Sequence, residues 1–227
     1  MDQLTELELN ALRGIDTPTV CNAIERFKIR DDTSGFVGMN IHCVYPQFAP
    51  TVGYALTVTV DSTTPMVKRD NEVWKEWVRA MDAAPKPIFL VFKDVSSTPQ
   101  RSAHIGEVMA TLATRMGVVG LLTDGGVRDI REVERLGMHM FAAGVVTSHG
   151  NPRLIAVNTT VELDGVTIRP GDLLHGDLNG VTSIPIECAK DLPSMAELIR
   201  LEEANLMEYI WSDDFSVDGF IAKKFSH

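Results

Sequence analysis

Apolar positions recur along this chain with two periods, and their alternation predicts the order of its elements. Residues 3–13 and 17–27 read as helices. Leu4, Leu7 and Leu12 fall near one face of the first, and Val20, Ile24 and Phe27 follow the Thr17-Pro18 start of the second. Residues 31–38 are rich in turn formers, and 53–60 alternate and are β-branched, which predicts a strand. Trp74, Trp77, Val78 and Met81 fit an amphipathic helix within 61–86, ended by Pro85 and Pro87. Residues 88–92 form an apolar run suited to a buried strand, followed by Lys93-Asp94 and a polar loop over 95–102. Val108, Met109, Leu112, Ala113 and Met116 then recur at helical spacing, and Gly117 stops that helix because glycine takes left-handed backbone cheaply. Residues 118–123 read as a second buried strand, Asp124-Gly125-Gly126 as a turn, and 130–136 as a short helix closed by Gly137. With a further strand at 139–143, this is a parallel α/β unit.

The pattern changes afterwards. Residues 155–187 are β-rich, with a hairpin over 161–168 around Asp164-Gly165, and two more short strands are punctuated by Pro170-Gly171, Gly176 and Asn179-Gly180. A mixed β/β/α domain fits this better than a doubly wound nucleotide fold. Ser194 and Glu197 have the spacing of a capping box, opening a helical tail whose stripe is Met195, Leu198, Ile199, Leu206, Tyr209 and Ile210. Glu202 falls inside that stripe and Glu203 at its edge. Either the stripe is partly solvated, or the helix packs on a neighbouring subunit and presents one of these acids to a site there. The organisation expected is one domain over 1–192 and a C-terminal helical extension over 193–227.

Composition narrows the function classes. The 227 residues are 44% hydrophobic and 23% charged, as in an ordinary soluble protein. A net charge of −10 argues against nucleic acid or an anionic membrane as partner. Cys21, Cys43 and Cys188 have no paired spacing and read as free thiols. An acidic N-terminus without an apolar core, and no apolar run near the ~20 residues of a membrane span, point to a cytoplasmic protein. The six histidines lack zinc spacing, no phosphate-binding loop or nucleophile elbow occurs, and Met66, Met81, Met109, Met116 and Met140 read as core filler. His104, one helical turn before Glu107, reads as a surface residue or a neighbour of the site.

The candidate chemistry lies in 105–129. Glu107 opens one helix, while Arg128 and Asp129 stand where a buried strand gives way to the next, and ligands collect at such strand ends. Two carboxylates beside a guanidinium can hold a divalent cation together with an anionic, oxygen-rich substrate. The plainer account is a surface ion pair plus a helix-capping aspartate.

An acid, twenty residues and then Arg-Asp, with GVVGLLTDGGVRD ahead of a short helix and FAAG, resembles the RraA-like family. The likeness is to its catalytic branch, the 4-hydroxy-4-methyl-2-oxoglutarate aldolases with oxaloacetate decarboxylase activity. DTPTVCNAIERF, VGYALTVTV and VTIRPGDLLHGDLNGVTSIP support it, so that most of 11–187 is covered. The resemblance implies a swivelling β/β/α domain with N-terminal helices and a C-terminal helical tail, assembled as a trimer or two trimers with sites between subunits. It implies a class II lyase that uses Mg²⁺ or Mn²⁺ to cleave small 2-oxo acids to pyruvate through an enolate. Asp129 would hold the metal, Glu107 would hold water on it, and Arg128 would bind the 2-oxo oxygen. Gly106 and the amides of Val108 and Met109 would receive the substrate carboxylate, which agrees with the affinity of helix N-termini for anions. Glu202 or Glu203 would be the C-terminal glutamate given to a neighbouring site. Where this branch carries aspartate, the present chain has Glu107. Two other readings remain: a non-catalytic regulator binding a ribonuclease E-like partner, and a lyase for another hydroxy or oxo acid.

Overall fold

Runs of Val, Ile, Leu and Phe with no polar face build a central sheet that is covered on both sides. The computed structural model describes residues 3–62 and 71–225. In chain order, helices α1 (Glu6–Arg13) and α2 (Thr17–Phe27) precede the two-residue β1 (His42–Cys43) and the long β2 (Thr51–Asp61). α3 (Asn71–Ala83), β3 (Ile88–Asp94), β4 (Ala103–Ile105), α4 (Glu107–Arg115), β5 (Val118–Val127), α5 (Ile130–Leu136) and β6 (His139–Val145) follow. Then come β7 (Arg153–Val157), the hairpin β8 (Val161–Leu163) and β9 (Val166–Ile168), β10 (Leu173–Asp177), β11 (Gly180–Ile184), α6 (Leu192–Trp211) and α7 (Val217–Phe225).

The sheet runs β1-β6-β5-β3-β2-β10-β11, with β4 paired to β5 and β7 to β2. Its middle strands β6, β5, β3 and β2 are parallel, and the edges antiparallel. Alternate residues of β3 face opposite ways. Leu90 and Phe92 meet Trp77 and Met81 of α3, Ala110 and Ala113 of α4, and Val133 of α5. Phe89 and Val91 meet Leu122, Phe141 and the β8–β9 hairpin. A third cluster joins α1, α2 and α6 to the β2–β10 edge through Leu12, Val20, Ile24, Leu192, Ala196 and Ile199. His175 fastens that layer, since its Nε2 can donate to the Leu12 carbonyl while Nδ1 accepts from the Thr17 hydroxyl. Burial pushes its pKa down.

The α/β class and the hairpin are as expected, and four local details differ. α1 starts at Glu6 behind a Thr5–Glu8 capping box, so Leu9 and Leu12 point inward and Leu7 is exposed. The α2 cap is Asp16, which accepts from the Thr19 amide, and this frees the Thr17 amide to donate to Asp177. Asp124-Gly125-Gly126 is no turn: β5 continues through a bulge to Val127 because β4 and β6 pair with it on either side. α6 starts at Leu192, with Pro193 in its first turn, so Ser194 lies inside the helix and caps nothing. The buried positions of that helix are Leu192, Ala196 and Ile199, while Leu198 and Ile210 are exposed. Met66 lies outside the described residues. Among the described residues no helix is long and apolar enough to cross a membrane, and all three cysteines are free.

Candidate functional site

β4 and β5 run parallel, with Ala103 opposite Gly126 and Ile105 opposite Val127, so the residues leaving their ends emerge side by side. Gly106 and Glu107 leave β4, and Arg128 and Asp129 leave β5. The Arg128 amide donates to the Ile105 carbonyl at 3.2 Å. The Glu107 amide donates to Asp129 Oδ2 at 2.9 Å, and Arg128 Nε lies 3.5 Å from the same oxygen. Gly106 fills the gap: a Cβ there would stand 2.5 Å from Asp129 Oδ2 and 2.9 Å from Arg128 Nε.

Asp129 occupies the N-cap position of α5 with φ +57°, left-handed backbone that aspartate tolerates better than most residues. Its carboxylate makes no cap to its own helix. It reaches across to α4 instead and accepts that helix's first amide, so Asp129 caps a neighbouring helix rather than its own. Glu107 is exposed at the first turn of α4, and Arg128 and Asp129 are each about one-third exposed. Gly106 gives α4 no cap of its own, and the first bond within the helix is Ala110 N–H to the Gly106 carbonyl, so the Val108 and Met109 amides have no acceptor within the helix. Val108 itself is exposed, while the inward face of α4 is Ala110 and Ala113 with Met109, Leu112 and Met116 beside them.

Behind these residues lies a buried polar chain. His104 on β4 bonds Asp94 through Nε2 at 2.9 Å and Thr123 through Nδ1 at 2.6 Å. Ser62 donates to Asp94 at 2.5 Å and also meets Ser102. Burial pushes the Asp94 carboxyl up, but bonds from His104, Ser62 and Ser96 outweigh it and hold the group well below the usual carboxylate range. Alongside, Lys93 pairs with Asp124, whose Oδ1 accepts the Asp94 amide at 2.8 Å. His104 is therefore buried, which corrects the surface reading. Sequence reasoning missed the buried polar neighbours Asp94, Thr123 and Ser62. The available signal was a charged Lys93-Asp94 pair ending an apolar strand.

The structure thus brings together Gly106, Glu107, Val108, Met109, Arg128 and Asp129. Glu202 and Glu203 lie elsewhere on this chain, on α6 facing α2. Glu202 pairs with Arg26 at 2.5 Å, and Glu203 meets Asn22 at 3.5 Å. Among the described residues no group of three His, Cys, Asp or Glu could hold a metal. A cation that keeps most of its water, as Mg²⁺ does, needs only one or two carboxylates. Asp129 spends Oδ2 on the Glu107 amide and keeps Oδ1 available among the described residues.

The chain is similar to known proteins in sequence and in fold. An uncharacterized protein of Methanocaldococcus jannaschii is 30% identical over 145 residues, 63% of this chain and 69% of that one. A protein of Halalkalibacterium halodurans bearing the name "Putative 4-hydroxy-4-methyl-2-oxoglutarate aldolase" is 37% identical over 84 residues, 37% of this chain but 40% of its own length. Streptomyces coelicolor RraAS2, described as an unusual member of the RNase ES inhibitor RraA protein family, superposes with a TM-score of 0.70 at 19% identity. That likeness covers 91% of this chain and 99% of the other, and shows the shared swivelling β/β/α fold. The family model described as RraA-like, Aldolase/RraA, matches residues 17–182, a span that holds Glu107, Arg128 and Asp129 but stops short of α6. This chain belongs to the RraA-like family.

Proposed function

We propose that the chain binds a small 2-oxo acid where β4, β5 and α4 meet and cleaves a carbon–carbon bond beside its carbonyl, releasing pyruvate. The substrates would be 4-hydroxy-4-methyl-2-oxoglutarate, oxaloacetate or both. One observation carries the reading: the Glu107 amide bound to Asp129, which sets a carboxylate and a guanidinium beside the first turn of α4. Arg128 directs its remaining N–H groups to the 2-oxo oxygen, as a planar guanidinium suits paired oxygens. The amides of Val108 and Met109 take the substrate carboxylate, helped by the positive end of α4. Asp129 and Glu107 would hold Mg²⁺ or Mn²⁺, which when bound supplies Lewis-acid withdrawal of charge from a keto oxygen. Glu107, exposed and without a side-chain partner among the described residues, is the group placed to pass a proton. The name of the Halalkalibacterium halodurans relative supports the lyase chemistry. Sites between the subunits of a trimer or a pair of trimers belong to the same proposal.

Pyruvate release from oxaloacetate with Mn²⁺ or Mg²⁺, and after EDTA, tests the reading. Asp129→Ala should lower metal-dependent kcat/KM by roughly 100-fold or more. Full turnover in that variant would sink the assignment.

A second reading makes the chain a non-catalytic regulator of a ribonuclease E-like partner. The RraAS2 likeness supports it by spanning 91% of this chain, against 37% for the aldolase-named relative, and the −10 charge suits a basic partner. Capture of such a ribonuclease by a chain that releases no pyruvate would select it. A lyase for another hydroxy or oxo acid would use the same side chains, and a screen of such acids separates it.

A further inference from the structure

We propose that the buried chain Ser62–Asp94–His104–Thr123 positions the candidate site, fixing how Glu107 stands relative to Arg128 and Asp129. The inference rests on reading those three residues as the site. The network joins five segments: the end of β2, the end of β3, the loop before β4, β4 and β5. One proton arrangement satisfies it throughout. The Gly125 amide donates to Thr123 Oγ1 at 3.1 Å, that hydroxyl donates to His104 Nδ1, and Nε2–H and the Ser62 hydroxyl donate to Asp94. Ser96 N–H donates to the other Asp94 oxygen at 2.8 Å.

Both arms of the site spring from this network. His104 lies three residues before Glu107, and Thr123 five before Arg128. Between Thr123 and Gly126 the β5–β6 register shifts, and that bulge aims the Arg128–Asp129 corner. The imidazole packs against the bulge: a Cβ on Gly125 would lie 2.2 Å from His104 Cε1, and one on Gly126 would lie 2.8 Å from the Ser102 carbonyl. Apolar side chains would fill this space with less desolvation cost, but they would not choose one register over its neighbour. Directional bonds do. The set is no nucleophilic triad, because both ring nitrogens are committed and neither serine meets the imidazole. Its members touch no substrate and act through Glu107 and Arg128.

Thr123→Val cuts the link on the β5 side, and Thr123→Ser restores the hydroxyl. Amide hydrogen exchange at Glu107, measured by NMR, reads the bond to Asp129 without requiring activity. Thr123→Val should speed it about tenfold while the Leu90 amide in β3 keeps its parental rate, since only a local opening is made easier. Calorimetric titration with oxalate and Mg²⁺ should show about tenfold weaker binding per folded molecule. Thr123→Ser should match the parent in both. If Thr123→Val fails to fold, His104→Gln keeps a donor to Asp94 while removing the ring acceptor, and the same outcomes apply. A Glu107 rate unchanged from the parent, or a Leu90 rate raised equally, overturns the proposal. A parent that binds no oxalate yet shows the selective exchange response supports positioning and overturns only the acid-binding reading.

Discussion

Gly106→Ala separates the site from the scaffold with a single methyl group. The residue is the N-cap of α4 with φ −142° and ψ −174°, extended backbone that alanine adopts without strain. What the methyl meets is the proposed site: Asp129 Oδ2 at 2.5 Å and Arg128 Nε at 2.9 Å. Ordinary contact begins near 3.4 Å, so the carboxylate must retreat by about 0.9 Å, enough to stretch its 2.9 Å bond from the Glu107 amide beyond hydrogen-bonding range. Losing that partly exposed bond costs about 1 kcal/mol, and a poorer N-cap residue about 1 more. The melting temperature should fall by about 4–8 °C for a chain of this size, leaving the protein folded at 25 °C. Function should suffer far more, because displacing catalytic groups by about 1 Å can cost about 100-fold. Thermal melts paired with kcat/KM for oxaloacetate decarboxylation measure both. Parental kcat/KM in a folded Gly106→Ala protein would refute the claim that Asp129 works from its place beside Gly106.

Three further outcomes follow from other parts of the fold. His139 stacks on Phe141 at 4.7 Å with neither ring nitrogen bonded among the described residues, and burial pushes its pKa down to about 4. Its contribution is complete above the unfolded value near ~6.5 and is lost as pH falls toward 4. The loss is about 2 kcal/mol by pH 5, so His139→Phe should flatten the melting-temperature profile between pH 7.5 and 5. Glu202→Gln breaks a half-exposed pair with Arg26 and should cost at most ~1 kcal/mol in a denaturant titration. If Glu202 or Glu203 serves a neighbouring site, the Gln variants of each should show which one lowers kcat in the assembled protein at unchanged stability. Ending the chain at residue 192 removes Ala196 and Ile199 from the α1–α2–α6 cluster and should cost several kcal/mol, roughly 3–5 by burial. Ending it after Trp211 removes no buried residue among the described ones and should leave the melt nearly unchanged.

The parallel core was legible because its strands are buried on both faces and read as unbroken apolar runs, as at 88–92 and 118–123. Helix faces were read less well. The stripe Leu4, Leu7 and Leu12 assumed a helix running from residue 3, but the Thr5–Glu8 box starts it at Glu6 and turns Leu7 outward. Ser194 showed the same spacing as a real box and caps nothing, because Pro193 already fits the first turn of a helix opened at Leu192. A capping pattern marks where a helix can begin, and tertiary packing decides whether it does.

Glycine carried the most informative ambiguity. Gly125 and Gly126 look like a turn in sequence, yet in the fold they are strand residues that leave room for His104 and the Ser102 carbonyl. Gly106, which carries no helix or strand signal, proves to be the point where Asp129 and Arg128 close on α4. Each is a place where backbone or a short side chain from a distant segment occupies the volume a Cβ would need. Spacing along the chain cannot show that, because the occupant is set by the pairing of β4 with β5. Arg128 and Asp129 stand out by charge at the end of an apolar strand, whereas what holds Asp129 to Glu107 is an amide proton and the methyl-sized volume that Gly106 leaves empty. In this chain Asp129 reaches the Glu107 amide only because Gly106, between the two in space, carries no methyl group.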